Sequence, residues 1–237
     1  MYAGMSSISI LTILVGLTTA PAPSLDRELC FKESGHAAIA ACARLIESGE
    51  FTGNSLAAIY YNRAITWYDI GEYDRAIQDY DQAIKLNPDF AQAVLNRGNA
   101  YDERGQYDRA IQDYDQAIKL DPNYAKAFNN RGYAYDEKRE YDRAVQDYDQ
   151  AIELNPTYAQ AFNNRGVSYG KKGDYDHAIR DYDLAIKLSP KYAAAFYNRG
   201  MAKLNHGHTD DGIADITEAE TVDPDFVHRK SEQSRPR

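Results

Sequence analysis

The side chains most able to do chemistry in this 237-residue chain are its five histidines, its two cysteines and its 36 carboxylates. Among the histidines only His206 and His208 form a close pair, whereas a metal site usually needs three or four ligands. The sequence contains no glycine-rich phosphate loop, no H-E-x-x-H and no G-x-S-x-G motif. The carboxylates recur at regular intervals, which indicates a structural repeat rather than a catalytic pair. We therefore predict a protein with no enzyme activity, no metal and no cofactor.

The two cysteines favour a structural disulfide. Cys30 and Cys42 would lie about 18 Å apart on one continuous helix, beyond the roughly 7 Å between Cα atoms that a disulfide spans. Ser34 and Gly35 between them are predicted to break the helix, so the chain can fold back on itself. Outside the cytosol such a pair would oxidise. Two reduced, buried thiols remain the alternative.

The first 22 residues have the composition of a secretory signal peptide. An apolar run at residues 8–17 is followed by small residues that include Ala20 and Ala22. The run is too short for a membrane span, which needs about 20 apolar residues. We therefore predict a periplasmic or secreted protein that has no membrane span once residues 1–22 are removed. An uncleaved anchor and a disordered cytosolic leader remain alternatives.

The charge of the chain is negative and unevenly distributed. The formal net charge is −9, while residues 227–237 carry four basic side chains and one acidic one. Nucleic acids and anionic lipids need clustered lysine and arginine, so an acidic body argues against both as partners. We predict that the basic residues 227–237 form a disordered tail.

A period of 34 residues organises most of the chain. The units are 57–90, 91–124, 125–158, 159–192 and 193–226, and the second and third are identical at 23 of 34 positions. Each unit is predicted to form two amphipathic helices, over roughly positions 2–14 and 17–30. Position 15 between them is glycine in four units and Arg139 in the third. Proline at position 32 ends each unit.

The repeat resembles the tetratricopeptide repeat, which also has 34 residues and two helices. The resemblance rests on motifs such as Asn96-Arg97-Gly98 followed by Tyr107-Asp108-Arg109-Ala110-Ile111. It implies an all-α fold, an α-solenoid of five repeats that form a right-handed superhelix with a concave groove. Residues 23–56 then supply an amino-terminal capping helix, predicted at 37–47, with a loop at 48–55.

One departure from the family pattern predicts a network of ion pairs. Position 7, usually leucine in the family, is arginine in every unit: Arg63, Arg97, Arg131, Arg165 and Arg199. Aspartates recur at positions 23 and 25 of the second helix, so we predict that each arginine binds them. A row of arginines that binds an anionic ligand is the alternative.

The resemblance implies that the first helix of each unit lines the groove. Position 6 there is always asparagine: Asn62, Asn96, Asn130, Asn164 and Asn198. A carboxamide both donates and accepts, so this row can pair with the backbone of an extended peptide. Further amides on the same face are Asn99, Asn129 and Asn163, and Tyr61 and Tyr133 offer apolar platforms. In the alternative interpretation the asparagines cap or bridge neighbouring helices and the tyrosines pack between repeats.

These features predict a non-catalytic protein–protein interaction scaffold that binds an extended peptide or a partner protein in the groove. Some family members use lysine at position 5 to bind acidic carboxy-terminal peptides, but this chain has none there, which favours a neutral or basic segment. The alternative is a structural or assembly protein that self-associates through its carboxy-terminal repeat, because the last unit has lost its position-17 and position-24 tyrosines. That repeat then also provides a route to a homo-oligomer.

Overall fold

A computed structural model describes residues 23–226, and the predicted signal peptide at 1–22 and basic tail at 227–237 lie outside these residues. Each regular element in the described range is a helix. The helices are α1 Pro23–Lys32, α2 Gly35–Glu47, α3 Gly53–Asp69, α4 Tyr73–Leu86, α5 Ala91–Glu103, α6 Tyr107–Leu120, α7 Ala125–Glu137, α8 Tyr141–Leu154, α9 Ala159–Lys171, α10 Tyr175–Leu188, α11 Ala193–Asn205 and α12 Thr209–Val222. Residues 224–226 are again helical. The chain is thus the all-α solenoid that the resemblance implies.

The helix bounds follow the 34-residue period closely. The second helix of each unit occupies positions 17–30, as predicted, and α6 is an example. From the second unit on, the first helix occupies positions 1–13, one residue earlier than predicted. A tight turn explains the shift, because the Phe90 amide donates to the Asn87 carbonyl at 3.1 Å and α5 then begins at once at Ala91. Short turns of this kind stack consecutive helices against one another.

The turn within each unit requires a left-handed backbone at position 15. Gly71, Gly105, Gly173 and Gly207 adopt φ values of 80°, 67°, 82° and 93° there. Glycine adopts this region at no steric cost, because it lacks a Cβ atom. Arg139 takes the same conformation at φ 62°, and it is the one residue other than glycine with positive φ among residues 23–226.

A tyrosine packed under a glycine forms the centre of each middle unit. Tyr148 is fully buried, and a Cβ atom added at Gly132 would lie 2.9 Å from its Cε1 atom. The same close approach brings Gly98 against Tyr114 and Gly166 against Tyr182. The large excess of tyrosine over phenylalanine therefore reflects one packing arrangement that is repeated along the solenoid.

The first helices of successive units lie side by side on the inner surface of the solenoid. α3 contacts α5, α5 contacts α7, α7 contacts α9 and α9 contacts α11. Within residues 23–226 the second helices of successive units make no comparable contacts with each other. The side with the closer helices is the concave side, so the first helices line a groove, as the resemblance implies.

Two helices, rather than the single one predicted, cover the amino-terminal end of the repeats. α1 and α2 pack on each other and both contact α3. A disulfide joins Cys30 to Cys42, whose Cα atoms lie 4.9 Å apart. The chain reverses at residues 33–34, and Gly35, which follows them, has φ 74°. Arg44 donates to both oxygens of the buried Asp26, at 3.0 and 2.5 Å. The loop predicted at 48–55 is shorter, because α3 already begins at Gly53.

Candidate functional site

The predicted ion pairs between arginine and aspartate are confirmed, and they form a continuous network along the solenoid. Arg131 donates from Nε and Nη2 to the two oxygens of Asp147, at 2.7 and 2.6 Å. Its Nη1 donates at 2.5 Å to Asp115 of the preceding unit. The same pattern recurs at Arg97, Arg165 and Arg199, and Arg63 makes the bidentate pair with Asp79. These arginines are neutralised inside the protein, which leaves the row poorly suited to bind an anionic ligand.

Four of the five asparagines at position 6 link their repeat to the one before it. Asn130 donates through Nδ2 to Oδ1 of Asn99 at 2.8 Å, and Asn164 donates to Oδ1 of Asn129 at 3.1 Å. Asn96 donates to the Tyr61 hydroxyl at 3.0 Å, and Asn198 donates to Asn163 at 3.0 Å. Asn62 donates to the Ala58 carbonyl of its own helix at 2.7 Å. These are the bonds expected if the row bridges neighbouring helices, and peptide binding by its members stays a prediction.

The remaining predicted site residues differ in their solvent exposure. Asn129 and Asn163 are buried. Each accepts a hydrogen bond from the position-6 asparagine of the next unit and donates one to the asparagine that follows it in the chain. Tyr61 packs on Phe90, with ring centroids 4.7 Å apart, and is half-buried. Tyr133 is 44% exposed and projects from the groove side of α7. Tyr133 therefore fits the role of an open platform, whereas Tyr61 packs between repeats.

Several predicted site residues come together around one cavity of about 280 Å³ in the middle of the groove. Its lining includes Asn99, Asn129, Asn130, Asn164 and Tyr133 together with Tyr68, Asp102, Glu103, Tyr114 and Gln160. A neighbouring cavity of similar size is lined by Asn96 and Asn99, with Ile65, Tyr68, Asp69, Tyr80 and Lys126. The predicted residues Asn62, Asn163, Asn198 and Tyr61 do not line either of these cavities. The central cavity combines amides, aromatic rings and carboxylates and has no basic side chain in its lining.

Asp102 is the one side chain in the described residues whose buried polar atom has no hydrogen-bond partner: its Oδ1 receives no donor. Burial, followed by the charges of Glu103 and Glu137, raises the pKa of Asp102 to about 7. A buried acceptor without a donor is costly, which makes Asp102 unusual among the carboxylates of this chain.

The equivalent aspartate of the next repeat, Asp136, is fully paired. Ser168 donates to both of its carboxylate oxygens at 2.9 Å, and the Tyr148 hydroxyl donates to Oδ2 at 3.3 Å. Burial raises the pKa of Asp136, whereas the charge of Lys171 and these hydrogen bonds lower it. Asp102 and Asp136 therefore occupy equivalent positions in the fold. Both carboxylate oxygens of Asp136 accept hydrogen bonds, whereas Oδ1 of Asp102 accepts none.

The negative charge of the groove also affects its exposed tyrosine. Burial, followed by the charges of Glu137 and Asp102, raises the pKa of Tyr133 to about 12. The tyrosine is therefore neutral at physiological pH, and its ring faces a field set by three nearby carboxylates. In the sequence these acids belong to a generally acidic repeat surface, and their effect on Tyr133 depends on neighbours in space that only the structure reveals.

No group of three or more histidine, cysteine, aspartate or glutamate side chains among residues 23–226 is arranged to hold a metal ion. None of the helices in that range combines the length and apolarity needed to cross a bilayer. His206 and His208 lie beside each other with ring centroids 5.2 Å apart.

Helix pairs of constant length, stacked so that their first helices form an inner groove, define the class of helical repeat scaffolds. Models described as tetratricopeptide repeat match residues 57–90, 125–158 and 159–192, and related models match 79–112 and 98–138. Together they span residues 57–192, more than half of the chain. The chain belongs to the tetratricopeptide repeat family.

Solved structures of this family resemble the chain over most of its length. The crystal structure of MamA is 26% identical with a TM-score of 0.61, and the match covers 70% of this chain and 96% of MamA. YrrB, described as a TPR protein with an unusual peptide-binding site, is 23% identical with a TM-score of 0.58, covering 81% of this chain and 98% of YrrB. PilW, described as a type IV pilus biogenesis factor, is 22% identical with a TM-score of 0.67, covering 72% and 79%. The last two likenesses concern the fold alone.

No curated protein sequence matches the chain. Tetratricopeptide repeats generally mediate binding between proteins and are non-catalytic, and the chain is accordingly a protein–protein interaction scaffold.

Proposed function

We propose that the chain binds an extended peptide segment in the concave groove, centred on the cavity between α5, α7 and α9. The observation that carries this proposal is the convergence of Asn99, Asn130, Asn164 and the exposed Tyr133 on one cavity. Their amides sit at successive repeats, and an extended backbone presents alternating donors and acceptors over such a distance. No chemistry on the bound segment is proposed.

The asparagines contribute in two ways under this proposal. Their Nδ2 groups hold neighbouring repeats in register, as with Asn130 and Asn99 at 2.8 Å. The Oδ1 atoms of Asn130 and Asn164 each accept one hydrogen bond, from Asn129 at 3.2 Å and from Asn163 at 3.3 Å. A carbonyl oxygen has two lone pairs, so each keeps capacity for a second donor. The repeat-to-repeat bonds thus fix the positions of the acceptors that a peptide backbone would meet.

Selection of a random 12-residue peptide library against the immobilised chain tests the proposal. Peptides that bind wild type should lose about tenfold in affinity for Tyr133→Ala, because an exposed aromatic ring at the centre of an interface is a typical hot spot. Phe31→Ala on α1 is the matched control, since Phe31 is similarly exposed at 47% but lies outside the groove. Equal losses for both variants, or no binders at all, would contradict groove binding.

We propose that the chain is exported, because a structural disulfide such as Cys30–Cys42 persists in oxidising compartments, whereas reducing compartments keep such thiols reduced. Alkylation of the protein in intact source cells, followed by mass spectrometry, measures this directly. Two alkylated thiols in the native protein would contradict export.

The second candidate function, self-association, has one observation in its favour. Four of the eight large apolar side chains that are exposed within residues 23–226 lie in the last two units: Leu184, Leu188, Met201 and Ile213, of which Ile213 is the most exposed at 54%. Phe226 covers part of the end by packing on Tyr197, with ring centroids 6.0 Å apart. Light scattering on wild type and Ile213→Asp measures the oligomeric state of each protein and tests this function. A wild type that is monomeric at high concentration counts against self-association.

A further inference from the structure

The middle of the groove contains two equivalent aspartates, Asp102 in α5 and Asp136 in α7, which differ in all of their partners. Three groups satisfy Asp136: the Ser168 hydroxyl, the Tyr148 hydroxyl and the nearby charge of Lys171. Two of them come from the following repeat and one from the second helix of the same repeat. Asp136 thus shows what this position of the fold needs in order to hold a carboxylate.

At Asp102 each of these three partners is missing. The residue equivalent to Ser168 is Ala134, which has no hydroxyl, and the residue equivalent to Lys171 is Glu137, which reverses the charge. The hydroxyl equivalent to that of Tyr148 belongs to Tyr114, which donates to Asn99 at 3.0 Å instead. The carboxylate of Asp102 therefore lacks both a hydroxyl donor and a counter-ion, and its Oδ1 has no partner.

The surroundings of Asp102 complete a site for a cation. Asp102 and Glu103 line the central cavity of about 280 Å³, and aromatic rings of Tyr68 and Tyr133 form further walls. The Tyr68 hydroxyl donates to Glu103 at 3.3 Å, which leaves Asp102 as the unpaired acid of the cavity. Carboxylates attract ammonium and guanidinium groups by charge-assisted hydrogen bonds, and aromatic faces add cation–π attraction.

We propose that the cavity at Asp102 is a subsite for a lysine or arginine side chain of the segment bound in the groove. The cation takes the place that Lys171 occupies near Asp136, and its N–H groups donate to the carboxylate of Asp102. Tyr133 covers the apolar stem of the same side chain. This inference rests on the proposed function, because it assigns one position of the peptide that the groove binds.

The random 12-residue library described above also tests the subsite, with four versions of the full chain as targets. Wild type and Asp89→Asn should both enrich peptides with lysine or arginine at one position. Asp89 is a matched control, since it is exposed and lies in the turn before α5, and its replacement removes the same charge. Asp102→Asn should return the basic content of selected peptides to that of the starting library.

A repair variant tests the subsite from the opposite direction. Ala134→Ser with Glu137→Lys gives Asp102 the surroundings of Asp136. The ammonium group introduced by Glu137→Lys should take the place of the ligand's cation and abolish the preference for peptides with lysine or arginine. For the best wild-type peptide, norleucine in place of the basic residue should weaken binding about tenfold, since a hydrogen bond to a charged group is worth roughly that factor. The same change should have no effect on binding to Asp102→Asn.

The outcomes separate the two proposals. Binders without a basic preference would overturn the cation subsite while peptide binding in the groove stands. An unchanged basic preference in Asp102→Asn would also overturn the subsite. A library that yields no binder to wild type would overturn both. A competition experiment with 1,5-diaminopentane tests whether the cavity binds a free amine instead. If the amine displaces the peptide when both are present at the same concentration, the cavity is a site for small amines and the peptide subsite is overturned. Circular dichroism of each variant verifies that it folds.

Discussion

At the scale of single residues, the arginine at position 7 depends on its carboxylate partners. The side chains of Arg131 and Asp147 are 20% and 8% exposed, so neither charge is well hydrated alone. Replacing Arg131 with leucine, the residue usual in the family, leaves Asp147 buried without a counter-ion. We expect a loss of about 3–5 kcal/mol in the free energy of unfolding, because breaking a buried pair from one side is strongly destabilising.

Urea denaturation measures this loss, with Arg109→Leu as the control for removing an exposed arginine. Adding Asp147→Asn to Arg131→Leu should recover part of the stability, since the neutral amide no longer needs a cation. If Arg131→Leu unfolds at the same urea concentration as wild type, the network does not stabilise the fold.

Asp102 should make the stability of the chain depend on pH. Its pKa is raised to about 7 in the folded state, chiefly by burial, whereas an unfolded aspartate titrates near 3.9. The folded state then holds more protons between these values, so the contribution of Asp102 to stability falls as pH rises from about 4 to 7. Charged or titratable side chains that face Asp102 from its surroundings are Glu103, Glu137, Tyr68, Tyr107, Tyr114 and Tyr133.

Asp102→Asn removes this dependence. Relative to wild type, the variant should gain about 1–2 kcal/mol in the free energy of unfolding at pH 8 and nothing at pH 4, because solvent screens part of the charge of a half-buried side chain. Denaturation curves of both proteins and of Asp89→Asn at the two pH values provide the measurement. A gain that is equal at pH 4 and pH 8 would show that ionisation of Asp102 is not its source.

At the scale of elements, the turn of the third unit differs from the others by one strained residue. Arg139 has φ 62° where four other units have glycine at φ between 67° and 93°. A residue with a Cβ atom pays about 1–2 kcal/mol for this conformation, while glycine loses more backbone entropy on folding. Arg139→Gly should therefore raise the free energy of unfolding by about 1 kcal/mol, as measured by thermal denaturation. Gly105→Ala in the same turn of the second unit should lower it by a similar amount; a destabilised Arg139→Gly would contradict the argument.

The helices were predictable because their signals are local and are repeated five times. Position 15 glycine, the proline at position 32 and the buried alanines fixed α4 to α12 within about one residue. The arginine–aspartate pairs followed from charge alone, since a buried arginine must find acids at the positions that face it. α1 escaped prediction because residues 23–32 lie outside the repeat and show no clear apolar face.

The hydrogen bonds of the candidate-site residues could not be predicted from the sequence. The asparagine row was visible, but its bonds to the preceding repeat depend on how far each unit rotates against the next. In the sequence Asp102 is one of 36 carboxylates. Its isolation becomes apparent only when Ala134 and Glu137 of the next repeat are compared with Ser168 and Lys171, which occupy the same places around Asp136.

At the scale of the whole molecule, the two ends of the solenoid differ in how they are closed. The amino-terminal end is covered by α1 and α2, which are joined by the Cys30–Cys42 disulfide and by the Asp26–Arg44 pair. The carboxy-terminal units expose several apolar side chains, among them Ile213. In a solenoid each repeat contacts only its neighbours. A change in stability at one end therefore affects the central repeats only through the repeats that lie between them.

The amino-terminal disulfide should therefore protect its own end far more than the groove. A disulfide that closes a loop of this length contributes about 2–3 kcal/mol in the chain-entropy model. Reduction, or the double change Cys30→Ser with Cys42→Ser, should speed hydrogen exchange in α1 and α2 and leave the amides of α5 to α9 nearly as slow as before. Reductant added to the double serine variant controls for effects unrelated to the bond. Uniformly faster exchange along the chain would mean that the solenoid unfolds as one unit, and the cap would then govern the stability of the groove itself.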